Sequence, residues 1–269
     1  MHNLKKQIIL SAGLVLFVAS LVTSSCGTSS ASFVDTDFEV NGVKFRMIAV
    51  EGGSFMMGAT PEQGDVAREN EKPAHKVTVD DFYIGETEVT QRLWFAVMGY
   101  NPSQFQTDEG YRPVENVSWN DVHEFINGLN DITGMHFRLP IEAEWEYAAR
   151  GGKKTTNKKY AGSDNLDEVA WSMENASFYP HSVAEKKPNE LGIYDMSGNV
   201  WEWVEDKYQD YQVNNTDFVD SLETNKYVEK GGGWWSSVHT DSIDRYRPAF
   251  RDRDDMDYRS VNGGFRIAL

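Results

Sequence analysis

Two acidic side chains, Asp195 and Glu202, stand on either side of a Ser197-Gly198-Asn199 turn. Such a turn bends the chain, so the two carboxylates can approach each other with backbone carbonyls between them. Calcium takes about six to eight oxygen ligands and accepts carbonyl as well as carboxylate oxygens. Residues 192–203 are therefore a candidate calcium site. A surface turn with two solvated acids is the alternative interpretation of these residues alone.

A hydrolytic site is a second possibility, because Ser236, His239 and Asp241 lie within a short stretch. A histidine oriented by an acid can activate a serine hydroxyl. Three common polar residues close together are only weak evidence for such a site, however. The six histidines have no paired metal-ligand spacing. The acidic segment 252–257 lacks the glycine and glutamate that an EF-hand loop needs, so it is predicted to be a solvated, salt-linked surface loop.

Short motif blocks run in order from residue 44 to residue 269. The densest is Gly-Ile-Tyr-Asp-Met-Ser-Gly-Asn-Val-Trp-Glu-Trp at 192–203. The others are Val-Glu-Gly-Gly-Ser-Phe-Met-Met-Gly at 50–58, Gly-Glu-Thr-Glu-Val-Thr at 85–90, Pro-Val at 113–114, Val-Ser-Trp at 117–119, Arg-Leu-Pro at 138–140, Glu-Ala-Glu-Trp-Glu-Tyr-Ala-Ala-Arg-Gly at 142–151, Lys-Gly-Gly at 230–232 and Gly-Phe-Arg at 264–266. Together they resemble the motifs of the formylglycine-generating enzyme family, also called sulfatase-modifying factors.

This resemblance implies a fold and a metal. The fold would be an irregular α+β domain of C-type-lectin-like topology, low in regular secondary structure and often stabilised by calcium. The family's calcium shell would fall on the side chains of Asp195 and Glu202 and on the backbone carbonyls of Gly198 and Val200. Ca²⁺ is therefore the expected cofactor.

The resemblance also implies that the family's chemistry is absent. Catalytic members use two cysteines to bind copper(I), and here those positions fall at Ser236 and about Ile243. A serine of the family is also replaced, by Gly233. Copper(I) prefers soft thiolate ligands, which a hydroxyl does not replace. We expect no copper and no oxidation of cysteine by the family's mechanism.

Three helices are predicted to support these motifs. The first follows Thr90, and the second follows a Ser118–Asp121 capping box. The third has Pro140 in its first turn and ends at Gly151. Its buried face is predicted to hold Ile141, Trp145, Ala148 and Ala149.

Alternating apolar and polar residues predict strands, and the aromatic residues predict the core of the domain. Residues 45–58 indicate a strand pair around Gly52-Gly53, and residues 75–84 alternate again. Helical periodicity ends after Gly151. The eight tryptophans lie between residues 94 and 235 and are predicted to be mostly core, since large aromatic side chains can fill an irregular domain.

The N-terminal segment is predicted to target and anchor the protein. Lys5 and Lys6 precede an apolar run at 8–22, and Cys26 is the only cysteine in the chain. This pattern indicates a lipoprotein signal peptide at 1–25, a lipidated Cys26 with a tether to residue 40, and one domain at 41–269. A secretory signal cut near Ser25 is the alternative. The apolar run is shorter than the ~20 residues of a membrane span.

The net charge narrows the range of partners. The chain has 26 basic and 42 acidic residues, a formal net charge of -16. Nucleic acid and anionic lipid headgroups favour basic patches, so neither is expected as a partner, and the membrane would be reached only through the lipid. The predicted location is the bacterial cell envelope, as an outer-membrane lipoprotein facing the periplasm or the surface.

The leading hypothesis is a non-catalytic interaction or scaffold module, resembling the gliding and secretion lipoproteins of this fold. One alternative is an oxidase acting on cysteine in sulfatases or other proteins. Another is a lectin-like receptor for a peptide or carbohydrate, because an exposed aromatic pair beside arginines would favour ligand recognition. Its groove would be lined by Trp234, Trp235, Ser236, Arg245, Arg247 and Arg251.

Overall fold

The computed structural model describes residues 33–64, 66–107, 109–211, 225–236 and 244–269. No helix in these described ranges is both long enough and apolar enough to cross a bilayer. Several predicted features lie outside the described residues: the signal peptide at 1–25, Cys26 and most of the tether, His239, Asp241 and Ile243.

Nine strands form three small sheets in the described part of the chain. The strands are β1 (Thr36–Val40), β2 (Val43–Val50), β3 (Gly53–Met57), β4 (His75–Val79), β5 (Phe82–Gly85), β6 (Trp201–Lys207), β7 (Lys226–Lys230), β8 (Asp252–Asp255) and β9 (Gly263–Phe265). The sheets have the strand orders β1-β2-β5, β3-β4 and β8-β7-β6-β9. All neighbours are antiparallel except β6 and β9, which run parallel.

Within the same described ranges, four α-helices and three short 3-10 helices accompany these sheets. The α-helices are α1 (Gln91–Met98), α2 (Trp119–Thr133), α3 (Glu142–Ala149) and α4 (Leu166–Val169), and the 3-10 helices cover Pro61–Gln63, Glu69–Glu71 and Gly152–Lys154. The prediction of α1 is confirmed, because the Thr90 hydroxyl accepts a hydrogen bond from the Leu93 amide. The predicted Ser118–Asp121 capping box of α2 is also confirmed, and α2 ends at left-handed Gly134.

Two details of the helix predictions are wrong. Helix α3 begins only after Ile141, which is its N-cap residue and remains 40% exposed instead of joining the buried face. Pro140 thus precedes the helix, where its fixed backbone angle ends the extended segment before it. The short helix α4 was not predicted, and its Asn165 cap is its main sequence signal.

Two strands lie on either side of Gly52 as predicted, but they do not pair with each other. β2 pairs with β1 and β5, whereas β3 pairs with β4, so the chain leaves one sheet for another at this point. The acidic segment predicted as a loop instead begins with β8, which is hydrogen-bonded to β7 at the edge of the third sheet. Both errors concern pairing between distant strands, which alternation within a segment does not specify.

The core is aromatic, as predicted. Trp94, Trp145, Trp203 and Trp234 are almost fully buried. One core cluster joins α1, α2 and β9, and another joins α3 to the β2, β5 and β7 strands. The chain end closes the domain, since Ala268 bridges to both Ile84 and Arg138. Small sheets, few helices and long irregular segments make this an α+β fold of C-type-lectin-like type.

Candidate functional site

The turn before β6 brings the two predicted calcium-binding acids into the interior. Asp195, Gly198 and Asn199 all have left-handed backbone angles, with φ values of 58°, 89° and 60°. Gly198 is required by space as well, because a Cβ there would lie 2.5 Å from the Trp171 carbonyl oxygen. β6 follows at once and carries Glu202 into the centre of its sheet, where it is fully buried.

A third acid, Glu88, joins Asp195 and Glu202 around a single buried arginine. Arg266 donates from Nε to Glu202 Oε2 and from Nη2 to Glu202 Oε1, each at 2.6 Å. The Trp145 indole donates to Glu202 Oε2, also at 2.6 Å. Glu88 accepts only longer bonds, from the Asn199 amide at 3.3 Å and the Val200 backbone N–H at 3.4 Å. Glu88 was not predicted, since its place in this cluster depends on tertiary packing.

The acids of this cluster are unevenly satisfied. Asp195 Oδ2 accepts from the Ala184 N–H, but Asp195 Oδ1 is buried without a hydrogen-bond partner. Burial raises the pKa of Asp195 to about 6. Burial, followed by the charges of Asp195 and Glu202, raises the pKa of Glu88 well above its usual range. The Arg266 guanidinium is bonded to Glu202 alone among these three buried carboxylates, and a divalent cation would offset the excess negative charge.

The donors suit calcium more than a transition metal. The predicted shell combines carboxylate and carbonyl oxygens, which hard cations prefer. Across the described ranges, no group of three or more His, Cys, Asp or Glu side chains has the arrangement of a metal cluster. A site at Asp195 and Glu202 would therefore depend on the carbonyl oxygens of Gly198 and Val200 as well.

The predicted ligand groove is present but differs from the prediction. A groove of about 470 Å³ is lined by Trp235, Ser236 and Arg245 among others. Trp235 is 54% exposed and lies 5.7 Å, between ring centroids, from Phe178, which is 58% exposed. One tryptophan of the predicted pair is therefore available to a ligand, together with a phenylalanine that the sequence did not indicate.

Three predicted groove residues do not line it. Trp234 is buried, with its indole N–H bonded to the Val261 carbonyl. Arg247 is fully buried in a two-bond ion pair with Glu71, at 2.7 and 2.8 Å. Arg251 is buried and pairs with Glu142 at 2.7 Å. The arginine-rich segment therefore holds the domain together, and this placement corrects the expectation that these three side chains face a ligand.

Acidic residues occupy the groove instead. Glu229 on β7 and Asp252 and Asp254 on β8 line it, as does Trp201 at the start of β6. None of them was predicted as a groove residue. Exposed and half-buried positions alternate along β8, as expected of a strand at the edge of a sheet. Its aspartate-rich sequence is unfavourable for a strand, so the sequence alone predicted a charged loop.

The residues predicted to stand at two of the family's reactive positions, Ser236 and Gly233, make structural contacts. The Ser236 hydroxyl accepts a hydrogen bond from the Gly233 N–H at 3.3 Å. A Cβ added to Gly233 would lie 2.2 Å from Asn262 Oδ1, an atom that also accepts a bond from the Trp235 N–H. Asn262 thus occupies the space that a serine at Gly233 would need.

The fold and this groove place the chain among C-type-lectin-like proteins of the formylglycine-generating type. The sulfatase-modifying factor enzyme 1-like domain matches residues 36–269. The chain belongs to this family.

Some of the similar proteins are named as formylglycine-generating enzymes, and others have non-catalytic names. Chaperone protein LppX of Paenibacillus barcinonensis is 35% identical over 280 residues, spanning 86% of this chain and 89% of LppX. Inactive C-alpha-formylglycine-generating enzyme 2 of Bos taurus is 27% identical, spanning 85% and 89%. The solved structure of Treponema denticola variable protein 1 is 30% identical, with a TM-score of 0.74 over 88% of this chain and 99% of that one.

Proposed function

We propose that this chain is a non-catalytic, lipid-anchored envelope protein that binds a partner protein through the groove beside Trp235. The observation that carries the proposal is the state of the family's reactive positions. Ser236 stands where the first copper-binding cysteine would be, and the only cysteine of the chain is Cys26, ahead of the domain. The domain itself therefore has no thiolate for copper(I).

Two further observations support a binding role. Asn262 fills the space above Gly233, so the reactive serine of the family could not be restored without moving a side chain that holds Trp235. The groove remains open next to Trp235 and Phe178, two exposed aromatic residues of the kind that anchor protein partners. Relatives named as a chaperone and as an inactive enzyme are consistent with this role.

The test is mass spectrometry of a Cys-Xaa-Pro-Xaa-Arg peptide incubated with the full chain, copper(I), reductant and oxygen. We expect no formylglycine above the blank without protein. The double variant S236C/I243C is the matched control, because it returns thiols to both family positions. Conversion by the unaltered protein would overturn the proposal in favour of a cysteine oxidase that uses other ligands.

Membrane attachment is tested separately. Acylation of Cys26 would hold the protein at a membrane, although stable anchoring by lipid usually needs more than one chain. We expect the C26S variant to move from the membrane fraction to the soluble fraction, while S236C stays with the membranes. Unchanged membrane association of C26S would contradict a lipid anchor.

A carbohydrate ligand is the second candidate for the groove, since Trp235 offers an exposed ring beside polar side chains. A protein partner and a carbohydrate ligand can be distinguished with envelope extracts. The extracts are passed over the immobilised protein before and after protease treatment. Loss of the bound material after protease supports a protein partner, and retention supports a glycan.

A further inference from the structure

Glu229 is a buried acid at the edge of the groove. Its residue is only 6% exposed, yet no hydrogen bond or ion pair holds its carboxylate among the described residues. Several other buried glutamates in the described part are paired with basic side chains, for example Glu71 with Arg247, whereas Glu88 accepts only from the Asn199 amide and the Val200 N–H. A buried carboxylate that lines a groove without a partner has its desolvation cost uncompensated in the free protein.

The strand register directs Glu229 into the groove. Glu229 lies directly opposite Asp252 on β8, and Tyr227 lies opposite Asp254. Residues opposite each other, and residues two apart, share one face of a sheet. Glu229, Asp252 and Asp254 therefore face the same side. Gly263 of β9 lies beside Glu229, and a Cβ there would be 3.6 Å from Glu229 Oε1, so no side chain of Gly263 covers the carboxylate.

The groove carries an excess of negative charge. Three carboxylates line it, with Arg245 as the basic side chain among its described lining residues. Arg253, between the two aspartates, is exposed on the other face, and its guanidinium lies 4.0 Å from the ring centroid of Tyr208. Burial and the charges of Asp254 and Asp252 raise the pKa of Glu229 well above its usual range. A cation entering the groove would relieve this repulsion.

Aromatic rings supply a second element of recognition. Trp201 and Trp235 both line the groove with the three acids. Indole faces attract cations, and a guanidinium can stack on a ring while it donates two parallel hydrogen bonds to a carboxylate. A guanidinium is also less strongly hydrated than an ammonium, so it loses less on entering a partly buried site.

We propose that this groove binds an arginine side chain of the partner protein, with its guanidinium paired to Glu229 and flanked by Asp252 and Asp254. This inference rests on the proposed function, because it specifies the chemistry of the ligand for the same groove.

Isothermal titration calorimetry of the full chain in detergent micelles tests the proposal. The probe is the peptide acetyl-Gly-Gly-Arg-Gly-Gly-amide, and its matched control carries citrulline, which has nearly the same shape without the charge. We expect binding of the arginine peptide, weaker binding of a lysine peptide, and at least about a tenfold preference for arginine over citrulline.

Two variants assign the binding to the groove. E229Q keeps the shape of the side chain and removes its charge, and we expect it to weaken binding of the arginine peptide at least tenfold. D255N removes a charge from the neighbouring strand β8 at an exposed position outside the groove lining, so its binding of the arginine peptide should be unchanged. Circular dichroism checks that both variants are folded.

Equal binding of the arginine and citrulline peptides, no binding at millimolar peptide, or full binding by E229Q would overturn the proposal. These results leave the non-catalytic proposal standing, since that depends on the formylglycine assay. Conversion of the cysteine peptide in that assay would overturn the binding role while leaving an arginine site in place. The two failures are thus distinguishable.

Discussion

Glu229 and Lys230 are neighbours on β7, but their charged groups face opposite sides of the sheet and have opposite surroundings. Lys230 is fully buried, and its ammonium lies 3.2 Å from Glu146 and 3.6 Å from Glu142. It also lies 5.6 Å from the ring centroid of Trp145. Glu229 is almost as buried, but it lines an acidic groove and has no hydrogen bond or ion pair with the residues that the structure describes.

This difference separates structural charges from charges that are available to a ligand. Burial acts to raise the pKa of Glu146, but the charges of Lys230 and Arg150 outweigh it and leave the pKa lowered. For Glu229, burial and neighbouring acids act in the same direction and raise the pKa. The Lys230 network therefore compensates its buried charges, whereas no basic side chain among the described residues is paired with Glu229.

The largest expected effect on stability comes from removing the buried Lys230 ammonium from its ion pairs. K230M fills the same space but leaves Glu142 and Glu146 with less positive charge inside the protein. Removing one partner of a buried ion pair typically costs about 3–5 kcal/mol. We expect a loss of this size in the free energy of unfolding, measured by urea denaturation.

K44M is the matched control for this prediction. Lys44 is an exposed lysine on β2, and its loss should change stability by less than about 0.5 kcal/mol. Equal effects of K230M and K44M would mean that the buried network does not stabilise the fold, and the contrast with Glu229 would then have no energetic basis.

The acids around Arg266 are partly paired, unlike the fully paired Lys230 network and the unpaired Glu229. We expect calcium to bind the oxygens that Arg266 leaves unpaired. Glu202 is paired with Arg266, but Asp195 Oδ1 has no partner. A cation that binds only the folded state stabilises it by about 2.7 kcal/mol at a hundredfold excess over its Kd. For a chain of this size, each 1 kcal/mol corresponds to about 2–4 °C in Tm. Calcium should therefore raise Tm, and chelator should lower it.

D195A is expected to lose the calcium-dependent part of the shift, whereas D255N should retain it. Magnesium should substitute poorly, because it demands near-octahedral geometry and gives up its water reluctantly. A Tm that is the same with calcium and with chelator would remove the calcium site, and the three buried acids would then need another explanation.

Local sequence patterns predicted the helices and the turn well. The Ser118–Asp121 box and the Thr90 cap are each formed by residues within one turn of chain, so their geometry is specified by neighbours. The turn at Gly198 was identified for the same reason. The calcium shell itself came from family resemblance and stays a prediction.

The groove residues could not be predicted from the sequence, because their positions depend on contacts between distant parts of the chain. The role of Asp252 and Asp254 depends on β8 lying against β7, and Glu229 becomes a groove residue only in that register. Likewise, Arg247 reaches Glu71, which is 176 positions away in the chain. Neither relation leaves a periodic signal within its own segment. The sequence analysis therefore assigned ligand binding to Arg247 and Arg251, which are buried. It did not identify the acids that line the groove.

The smallest expected effect concerns Glu229 and has a specific pH dependence. The pKa of its carboxyl is raised in the folded protein above its ordinary value of 4.5, so the folded state holds the proton more tightly than the unfolded state. Stability should then fall as pH rises from about 4.5 through the raised pKa. Asp252, Asp254 and Arg245 also line the groove, so the effect of Glu229 is isolated by comparison with a variant.

E229Q is that variant, because it lacks the ionisation but keeps the shape. We expect E229Q to be more stable than the unaltered protein at pH 8, by on the order of 1 kcal/mol, and equally stable at pH 4, where both side chains are neutral. Thermal unfolding across this pH range measures the difference, and D255N should follow the unaltered protein. If E229Q were less stable at pH 8, Glu229 would be part of the structural network like Lys230, and it would no longer be a charge reserved for a ligand.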